Sequence, residues 1–581
     1  MGMPDIKTAQ RNKYGKLIGY RIATIGMWVS IAALALLMVF STVITYTSGW
    51  GYRFGGKLLH NSILNAPLMI AISIFACVCI SGFIYLISKF FVNRKVDKKI
   101  VLIAVCIVSM AFQIWWIFAQ HANGSLYFDS NETMSLGSML AHGDMSMFNQ
   151  SIDGVPISEM KSGTKYFISY PYQTGIVLFF TCLFKIFGNN TPLAIQIINA
   201  VCNVGTIVML SLIGFLIADD EKTKIAIPIV AGMCLPSLLY SSFMYGNQIG
   251  FFLATCFITL NVYALNQEVS YKKRIMFVII SVIPMSATMI IKPTFLIIII
   301  AIMIVWIIEL LLHFGIKNVG CFIALILMFA LSNAAGKIPQ AYFEKELGYS
   351  LGQGMPKTAW IAIGLQDNAV IKGMPGWWND SALKRQIDTK NDYEKQSVET
   401  VADIQTEIDK MVHNPMYTLR FFGKKLGSEW LTPDFHARYF AGINYEKVNG
   451  DDNNRYVFNL HERDYNIYDA KELATERAID QVEELVPFMD GYQTLIYAGA
   501  FISCLAIVRN NKKEKDKSKI QSNMLLMPCI FIVGAVVYLL WEAQAQYLLP
   551  FFMCLIPVAV PGIFSIADKV IEKGKLVKTA K

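Results

Sequence analysis

Acidic residues concentrate in a polar stretch that directly follows an apolar run. Asp129 comes first, Glu132 lies one helical turn later, and Asp144 follows, all within GSLYFDSNETMSLGSMLAHGDMSMFNQ. A carboxylate at the edge of an apolar region is partly desolvated, which raises its pKa and makes it a better general base. The ordinary alternative is a set of solvated loop acids. Asp129 and Glu132 are therefore candidate catalytic residues that need further support.

Basic residues that could stabilise an anionic group occur in two places. Lys292 stands between two apolar runs in SATMIIKPTFL, where an unpaired charge is costly and usually functional. Its ordinary alternative is a lysine that snorkels to lipid headgroups. Further phosphate-binding candidates are Lys424, Lys425 and Arg438 in FFGKKLGSEWLTPDFHARYF, although a basic surface near anionic lipid explains them equally well.

Polar and aromatic side chains near the same boundaries are candidates for binding a substrate by hydrogen bonds. They are Tyr166, Tyr170, Tyr245, Asn247, Gln248, Glu542 and Tyr547. Tryptophans at 360, 377 and 378 either stack on a sugar face or pack at the interface, and we favour packing.

The sequence gives no sign of a metal or another cofactor. The spacing of His121, His142 and Asp144 matches no standard ligand pattern, and neither a Walker loop nor a dinucleotide fingerprint is present. The eleven cysteines lie in or beside apolar segments, and residues 337–489 contain none, which argues against a disulfide scaffold. The net charge of +9 comes from residues between apolar runs, so it does not indicate nucleic acid binding.

Composition predicts the elements that must position these residues. Of the 581 residues, 55% are hydrophobic and only 16% are charged, whereas soluble domains carry about 25% charge. The apolar residues form runs near the roughly 20 residues that a helix needs to span a bilayer. We predict an all-α polytopic membrane protein with about twelve spans. They lie near 23–46, 66–91, 100–119, 192–218, 225–242, 248–265, 275–291, 294–313, 319–336, 490–508, 523–541 and 548–566.

Lysine and arginine bias predicts which way these spans run. The connections 92–99, 266–274 and 509–521 and the C-terminal tail are all rich in basic residues. With twelve spans these segments fall on one side, which we assign to the cytoplasm together with both termini. The apolar stretch 172–187 is only sixteen residues long and contains Lys185, so we interpret it as an interfacial or re-entrant helix. A short tilted span is the alternative.

Four segments are expected. Residues 1–99 hold an N-terminal helix pair, and 100–336 form a membrane core with an outer loop at 120–191. Residues 337–489 are too long for a plain loop and are predicted to form a small, mostly helical extracytoplasmic domain. Helix-like patterns at 394–412 and 470–485 support this. Residues 490–581 supply the last spans and a basic tail.

The order of motifs resembles the GT-C superfamily of polytopic glycosyltransferases, in particular bacterial relatives of protein O-mannosyltransferases and aminoarabinose transferases. The matching features are Asp129, Ala141 with Gly143, Tyr166 with Tyr170 and Pro171, and Phe187–Gly188. The segment WEAQAQYLLP stands where the family often carries Glu-x-Arg-x-Arg-Tyr-x-x-Pro, with both arginines replaced by glutamine. A Lys-Pro-Pro motif is absent, because Ser169-Tyr170-Pro171 occupies its place.

This resemblance implies a GT-C-like membrane fold and an inverting transfer of sugar from a polyprenyl-phosphate-sugar donor to an extracytoplasmic acceptor. It makes Asp129 the base and Lys292 the contact to the donor phosphate, with no metal required. The acceptor is a cell-envelope polymer, a glycolipid or a protein, and the location is the plasma membrane. Two alternatives remain, a transporter or flippase of lipid-linked saccharides and a polysaccharide polymerase or ligase. A missing two-fold repeat speaks against the transporter.

Overall fold

The computed structural model describes residues 6–47, 66–119, 129–367, 374–441, 457–460, 463–466, 484–513 and 521–579. In the membrane part the helices are α1 Ile6–Thr47, α2 Ala66–Asn93, α3 Lys98–Ala119, α4 Asp129–Ala141, α5 Ser162–Ser169, α6 Thr174–Phe187, α7 Thr191–Ile217, α8 Glu221–Gly232, α9 Leu235–Leu239, α10 Asn247–Leu265, α11 Tyr271–Ile280, α12 Val282–Ile291, α13 Leu296–Leu312 and α14 Ile316–Gly336.

The remaining elements follow in chain order. They are α15 Ile338–Leu347, α16 Lys357–Gly364, α17 Ser381–Asp388, α18 Tyr393–His413, α19 Pro415–Trp430, α20 Ala437–Ala441, β1 Val457–Leu460, β2 Arg463–Asn466, α21 Val486–Lys513, α22 Asn523–Leu540, α23 Ala545–Met553 and α24 Ile556–Thr579. The two strands form an antiparallel hairpin with Val457 opposite Asn466. The predicted all-α class is confirmed. Among the described residues, this hairpin is the only β-sheet.

The described helices account for the predicted spans. Ten helical stretches are long and apolar enough to cross a membrane, or twelve if each of two bent pairs counts as one span. The first pair, Glu221–Gly232 with Leu235–Ser242, bends by 47°, and the second, Ala545–Met553 with Ile556–Asp568, bends by 65°. These pairs coincide with the predicted spans 225–242 and 548–566. The chain is therefore a polytopic membrane protein.

The stretch predicted as an interfacial helix forms α6. Its fourteen residues extend about 21 Å, which is short for a span. It ends at Gly188, which adopts a positive φ of 53° before α7 begins. A Cβ at Gly175 would collide with the Ile290 carbonyl near the end of α12, so α6 approaches that helix at van der Waals distance. The helix itself is confirmed, and its depth in the bilayer stays a prediction.

The basic connections meet at one end of the bundle. Lys98 Nζ lies 3.1 Å from Glu221 Oε1, which joins the starts of α3 and α8. Lys222 Nζ lies 3.4 Å from Asp568 Oδ1, which brings α24 to the same end. Since the helices alternate in direction, the segments that hold Asp129 and Lys292 leave from the opposite end.

A buried carboxylate joins three elements at the basic end: α11, α13 and the segment before α22. Glu309, near the end of α13, is fully buried, and its Oε2 accepts a hydrogen bond from Ser522 Oγ at 2.7 Å. His313 Nδ1 lies 2.8 Å from the same Oε2, and Arg274 Nη2 lies 3.4 Å from Oε1. Burying an ion is costly unless it is paired and hydrogen-bonded, and this network satisfies that requirement.

The predicted N-terminal pair packs into the body of the protein. Ser41 Oγ on α1 lies 2.7 Å from Thr494 Oγ1 on α21, so the two helices are linked near the outer end. A Cβ at Gly491 on α21 would come within 2.8 Å of the Ser73 carbonyl on α2. Small residues at such crossings let helix backbones approach closely inside a membrane. The pair therefore contributes to the core packing.

Residues 337–489, predicted to form an outer domain and called the outer domain below, contain α15 to α20. The predicted helix 394–412 is confirmed as α18, whose start is capped by the Asp392 side chain accepting from Lys395 N–H. Arg385 Nη2 on α17 lies 2.7 Å from Asp403 Oδ1 on α18 and joins those helices. The predicted helix 470–485 falls almost entirely outside the described residues.

The close crossing of α24 and α21 provides a test of this architecture. A Cβ at Gly562 would overlap the Gly499 carbonyl, so Gly562→Ala must push α24 away from α21. Overpacking of this kind costs about 1–3 kcal/mol, and we expect a lower thermal midpoint in detergent, measured by intrinsic fluorescence. Gly26→Ala on α1 is the control, since no atom lies within 4 Å of its Cβ. An unchanged midpoint for Gly562→Ala would contradict this packing.

Candidate active site

A cavity of about 730 Å³ lies at the end opposite the basic connections. Its wall combines the first outer loop, the turn before α10, the outer domain and the segment after α22. Seven of the predicted site residues line it: Asp129, Glu132, Tyr166, Tyr170, Tyr245, Glu542 and Tyr547. These residues come from four separate stretches of sequence, so the fold brings together side chains that sequence analysis could only place on one side of the membrane.

Helix α4 carries Asp129 and Glu132 on the cavity wall. Asp129 is its first residue, and its carbonyl accepts a hydrogen bond from Thr133 Oγ1 at 2.7 Å. Gly137 fixes the helix against α6, because a Cβ there would lie 2.7 Å from Phe180 Cβ. The first turn of α4 therefore presents two carboxylates to the cavity from a rigid support.

The surroundings of Asp129 pull its pKa in opposite directions. Its side chain is open to the cavity, yet protein surrounds the site, and this desolvation raises the pKa of Asp129. The positive charge of Lys292 and the neighbouring hydroxyls of Tyr166 and Tyr245 oppose the shift. The Tyr166 hydroxyl is therefore a buried donor group that neighbours Asp129.

Tyr245 neighbours both Asp129 and Lys292. Its hydroxyl accepts a hydrogen bond from Gln173 Nε2 at 2.6 Å, which fixes the ring. Lys292 Nζ lies 3.8 Å from the centre of that ring, a cation–π contact. Gly250 makes room for the lysine, since a Cβ there would lie 2.6 Å from Lys292 Cβ. Lys292 is buried, and electrostatic interaction couples it to Asp129 and Glu542.

Glu542 completes the group of acids in the cavity. Its backbone N–H donates to the Trp360 carbonyl at 2.9 Å, and the Ala543 N–H donates to the Gly376 carbonyl at 3.1 Å. Glu542 Oε1 is buried and has no hydrogen-bond partner among the described residues. Burial raises the pKa of Glu542 to about 8, so the side chain keeps its proton at neutral pH.

The two predicted amides have different surroundings. Asn247 Nδ2 lies 3.3 Å from Oε1 of Gln546, a residue of the cavity wall. Gln248 instead donates to Asn203 on α7 and, at 3.0 Å, to the Ser237 carbonyl on α9. Gln248 therefore holds α10 against neighbouring helices, whereas Asn247 supports the cavity.

The basic residues of α19 and α20 do not line the cavity. Lys425 Nζ is buried and donates to the carbonyls of Gly364 at 2.6 Å and Trp541 at 2.8 Å. Arg438 Nε donates to Asp434 Oδ2 at 2.9 Å, and Lys424 is half-buried away from the lining residues. Lys425 thus joins the outer domain to the segment that carries Glu542.

Several lining residues were not candidates from sequence. Asp380 and Lys165 line the cavity, together with Gln544 and Gln546. The glutamines stand at the two positions where the GT-C motif carries arginine. That correspondence could have identified them as candidate site residues. Asp380 follows two tryptophans in a polar domain, and nothing in its local pattern distinguishes it from a solvated acid.

In the part of the chain that the structure describes, no cluster of three His, Cys, Asp or Glu side chains is arranged to hold a metal ion. Metal independence stays a prediction.

Comparison with known proteins adds little at the level of sequence. No protein-family model matches the chain, and no curated protein matches it. Among solved structures it is similar to the archaeal oligosaccharyltransferase AglB from Archaeoglobus fulgidus in complex with an inhibitory peptide and a dolichol-phosphate, with a TM-score of 0.35 and 12% identity over 84% of this chain. The apo form of an oligosaccharyltransferase from the same organism gives 0.36 and 11% over 82%. The chain spans about half, 52%, of both.

Glu429, beside Lys425, provides a test of the electrostatics behind the cavity. It is fully buried, Lys425 Nζ lies 3.9 Å away, and burial raises the pKa of Glu429 to about 8. The folded protein therefore keeps a proton that the unfolded chain loses above 4.5. Raising the pH from about 5 to about 8 should then lower the stability of the folded state.

We expect Glu429→Gln to weaken this dependence, because the amide does not titrate. The measurement is the thermal midpoint of the purified protein in detergent across that pH range. Glu394→Gln, at an exposed position on α18, is the matched control and should keep the wild-type slope. Equal slopes in Glu429→Gln and wild type would show that Glu429 is ionised when folded.

Proposed function

We propose that this chain is a membrane glycosyltransferase of the GT-C type, which moves a sugar from a polyprenyl-phosphate-linked donor to an extracytoplasmic acceptor. The observation that carries the proposal is that Asp129 and Lys292 both neighbour Tyr245, a residue of the cavity wall. Transfer from a lipid phosphate needs a base for the acceptor hydroxyl and positive charge for the departing phosphate. Asp129 lines the cavity, and Lys292 lies directly behind the cavity residue Tyr245.

In the proposed reaction Asp129 accepts the proton of the acceptor hydroxyl, while the oxygen of that hydroxyl bonds to the anomeric carbon. The bond from that carbon to the phosphate oxygen breaks on the opposite face, so the configuration inverts and the electron pair leaves with the lipid phosphate. Lys292 stabilises the charge on this leaving group. Glu132, on the same wall one turn later, orients the acceptor hydroxyl.

The other wall residues would bind the sugars. Protonated Glu542 is a hydrogen-bond donor at neutral pH, in the way that buried carboxylic acids serve elsewhere. Tyr166, Tyr170 and Tyr547 offer hydroxyls and ring faces, and Asn247 acts through Gln546. Lys424, Lys425, Arg438 and Lys292 are all absent from the cavity lining, but Lys292 Nζ lies 3.8 Å from the ring centre of Tyr245, which does line it, so the proposal assigns the phosphate to Lys292.

The proposal includes a location and partners. The plasma membrane fits the many spans, and the basic end of the bundle would face the cytoplasm with both termini. The partners would be the lipid donor, membrane lipids and a cell-envelope polymer, glycolipid or protein acceptor, without nucleic acid or metal. A flippase or a polymerase of lipid-linked saccharides is distinguished by the chemistry, because neither needs Asp129 as a base for a single sugar transfer.

Replacing Asp129 tests the mechanism. Asp129→Asn keeps the shape of the side chain but removes its basicity, so we expect sugar transfer to fall about 100-fold or more. The measurement uses protein reconstituted in liposomes with radiolabelled polyprenyl-phosphate mannose, glucose and galactose, and membrane extracts as acceptor.

Asp144→Asn is the matched control, because it changes an acid in the same outer loop that does not line the cavity. Its transfer rate should equal that of wild type. If Asp129→Asn transfers sugar at the wild-type rate, Asp129 is not the base and the proposed mechanism is wrong.

Replacing Lys292 tests the phosphate contact. Lys292→Met preserves the chain length against Tyr245 but removes the charge, so we expect weaker stabilisation of the leaving phosphate and a fall in kcat of about tenfold or more. Lys161→Met, at an exposed lysine of the first outer loop, serves as control. A kcat for Lys292→Met equal to wild type would exclude Lys292 from the leaving-group contact.

A further inference from the structure

A cluster of aromatic rings forms one wall of the cavity. Tyr170 comes from the end of α5, Trp360 from α16 and Trp378 from the segment before α17, and all three are half-buried. The ring centres of Trp360 and Trp378 are 5.6 Å apart, and those of Tyr170 and Trp360 are 6.2 Å apart. Two separate parts of the chain therefore build one aromatic platform, defined here as Tyr170, Trp360 and Trp378.

The platform is supported from behind and open in front. Its rings pack against a buried apolar cluster that includes Met355, Ile363 and Ala382. Trp377 differs, because it is fully buried and its ring centre lies 5.0 Å from that of His436. Packing therefore explains Trp377, whereas the three platform rings keep surface on the cavity that packing does not use.

Carboxyl groups surround this platform. Electrostatic interaction couples Tyr170 to Asp129, Asp380 and Glu542, which all line the cavity. An apolar ring face bordered by hydrogen-bonding carboxyl groups matches the surface of a pyranose, which presents C–H bonds on one face and hydroxyls around its edge. With Glu542 protonated, Asp129, Glu132 and Asp380 still outnumber Lys165 on the cavity lining, so an anionic sugar is disfavoured relative to a neutral one.

The platform also lies close to the proposed base. The ring centres of Tyr170 and Tyr166 are 5.1 Å apart, and the Tyr166 hydroxyl neighbours Asp129. Only Tyr166 lies between Tyr170 and Asp129 in this series of contacts. A pyranose stacked on Tyr170 and Trp360 would thus present its edge hydroxyls towards Asp129.

We propose that the platform is the acceptor subsite and that the acceptor ends in an uncharged pyranose, which stacks on Tyr170, Trp360 and Trp378. This inference rests on the proposed function for its assignment to the acceptor. Of the cell-envelope polymer, glycolipid and protein acceptors considered above, it selects a glycan or glycolipid. It excludes an acceptor whose terminal unit is anionic.

Binding of simple sugars to the full-length protein in nanodiscs tests the subsite without catalysis. The probes are methyl glycosides of glucose, galactose, mannose and N-acetylglucosamine, and the readout is saturation-transfer NMR at their ring C–H protons. We expect at least one glycoside to bind and its affinity to fall about tenfold in Trp360→Leu and in Trp378→Leu. Trp115→Leu, at an exposed position on α3, should bind like wild type.

Further probes and variants make the result decisive. Methyl glucuronide should bind more weakly than methyl glucoside, and a serine-containing peptide should show no dependence on Trp360. Tyr170→Leu, on the other part of the chain, repeats the test if the tryptophan variants do not fold. Absence of binding by all four glycosides, or equal binding in folded platform variants and wild type, would overturn the subsite.

The Asp129→Asn variant separates this inference from the proposed function. It should retain glycoside binding while it loses transfer, because stacking does not need the base. Transfer that survives Asp129→Asn refutes the mechanism alone, whereas glycoside binding that survives loss of the platform refutes the subsite alone. In an acceptor titration, Trp360→Leu should raise KM for the acceptor more than it lowers kcat.

Discussion

The need to keep opposite charges together in a poorly hydrated cavity governs the structure around Asp129. A carboxylate and an ammonium lose much of their hydration there, and each offsets part of that cost for the other. The carboxylate lines the cavity and is available to a ligand, while the lysine lies on the ring face of Tyr245. Gln173 and Gly250 fit around this arrangement, the first by holding the tyrosine hydroxyl and the second by leaving space for the lysine stem.

Much of the scaffold could be predicted because a bilayer imposes a simple rule on sequence. Helix length and lysine bias gave the number of spans and the sidedness of Asp129, Lys292 and Glu542. Each of the two bent spans breaks just before a proline, Pro236 in the first and Pro557 in the second, within an apolar run that was still recognisable as a span. Helix α6 was predicted to be interfacial or re-entrant because its apolar run of sixteen residues is too short to cross a hydrocarbon core.

The surroundings of single side chains could not be predicted in the same way. Lys425 and Lys292 look alike in sequence, but Lys425 donates to two backbone carbonyls from distant segments, and only tertiary structure brings these together. Asn247 and Gln248 are neighbours on α10, yet Asn247 donates to Gln546 and Gln248 donates to Asn203. Asp380 reaches the cavity because the outer domain folds over it, a long-range arrangement that local patterns do not encode.

The backbone hydrogen bonds from Glu542 to Trp360 and from Ala543 to Gly376 have a thermodynamic consequence. They fix the last outer turn to the outer domain, and the Ser169 carbonyl accepts a similar bond from the Met355 N–H at 3.2 Å. Three parts of the wall are therefore set before any ligand arrives. Ligand binding then requires little rearrangement of the cavity wall. The fixed shape of the cavity, rather than a conformational change, discriminates between ligands.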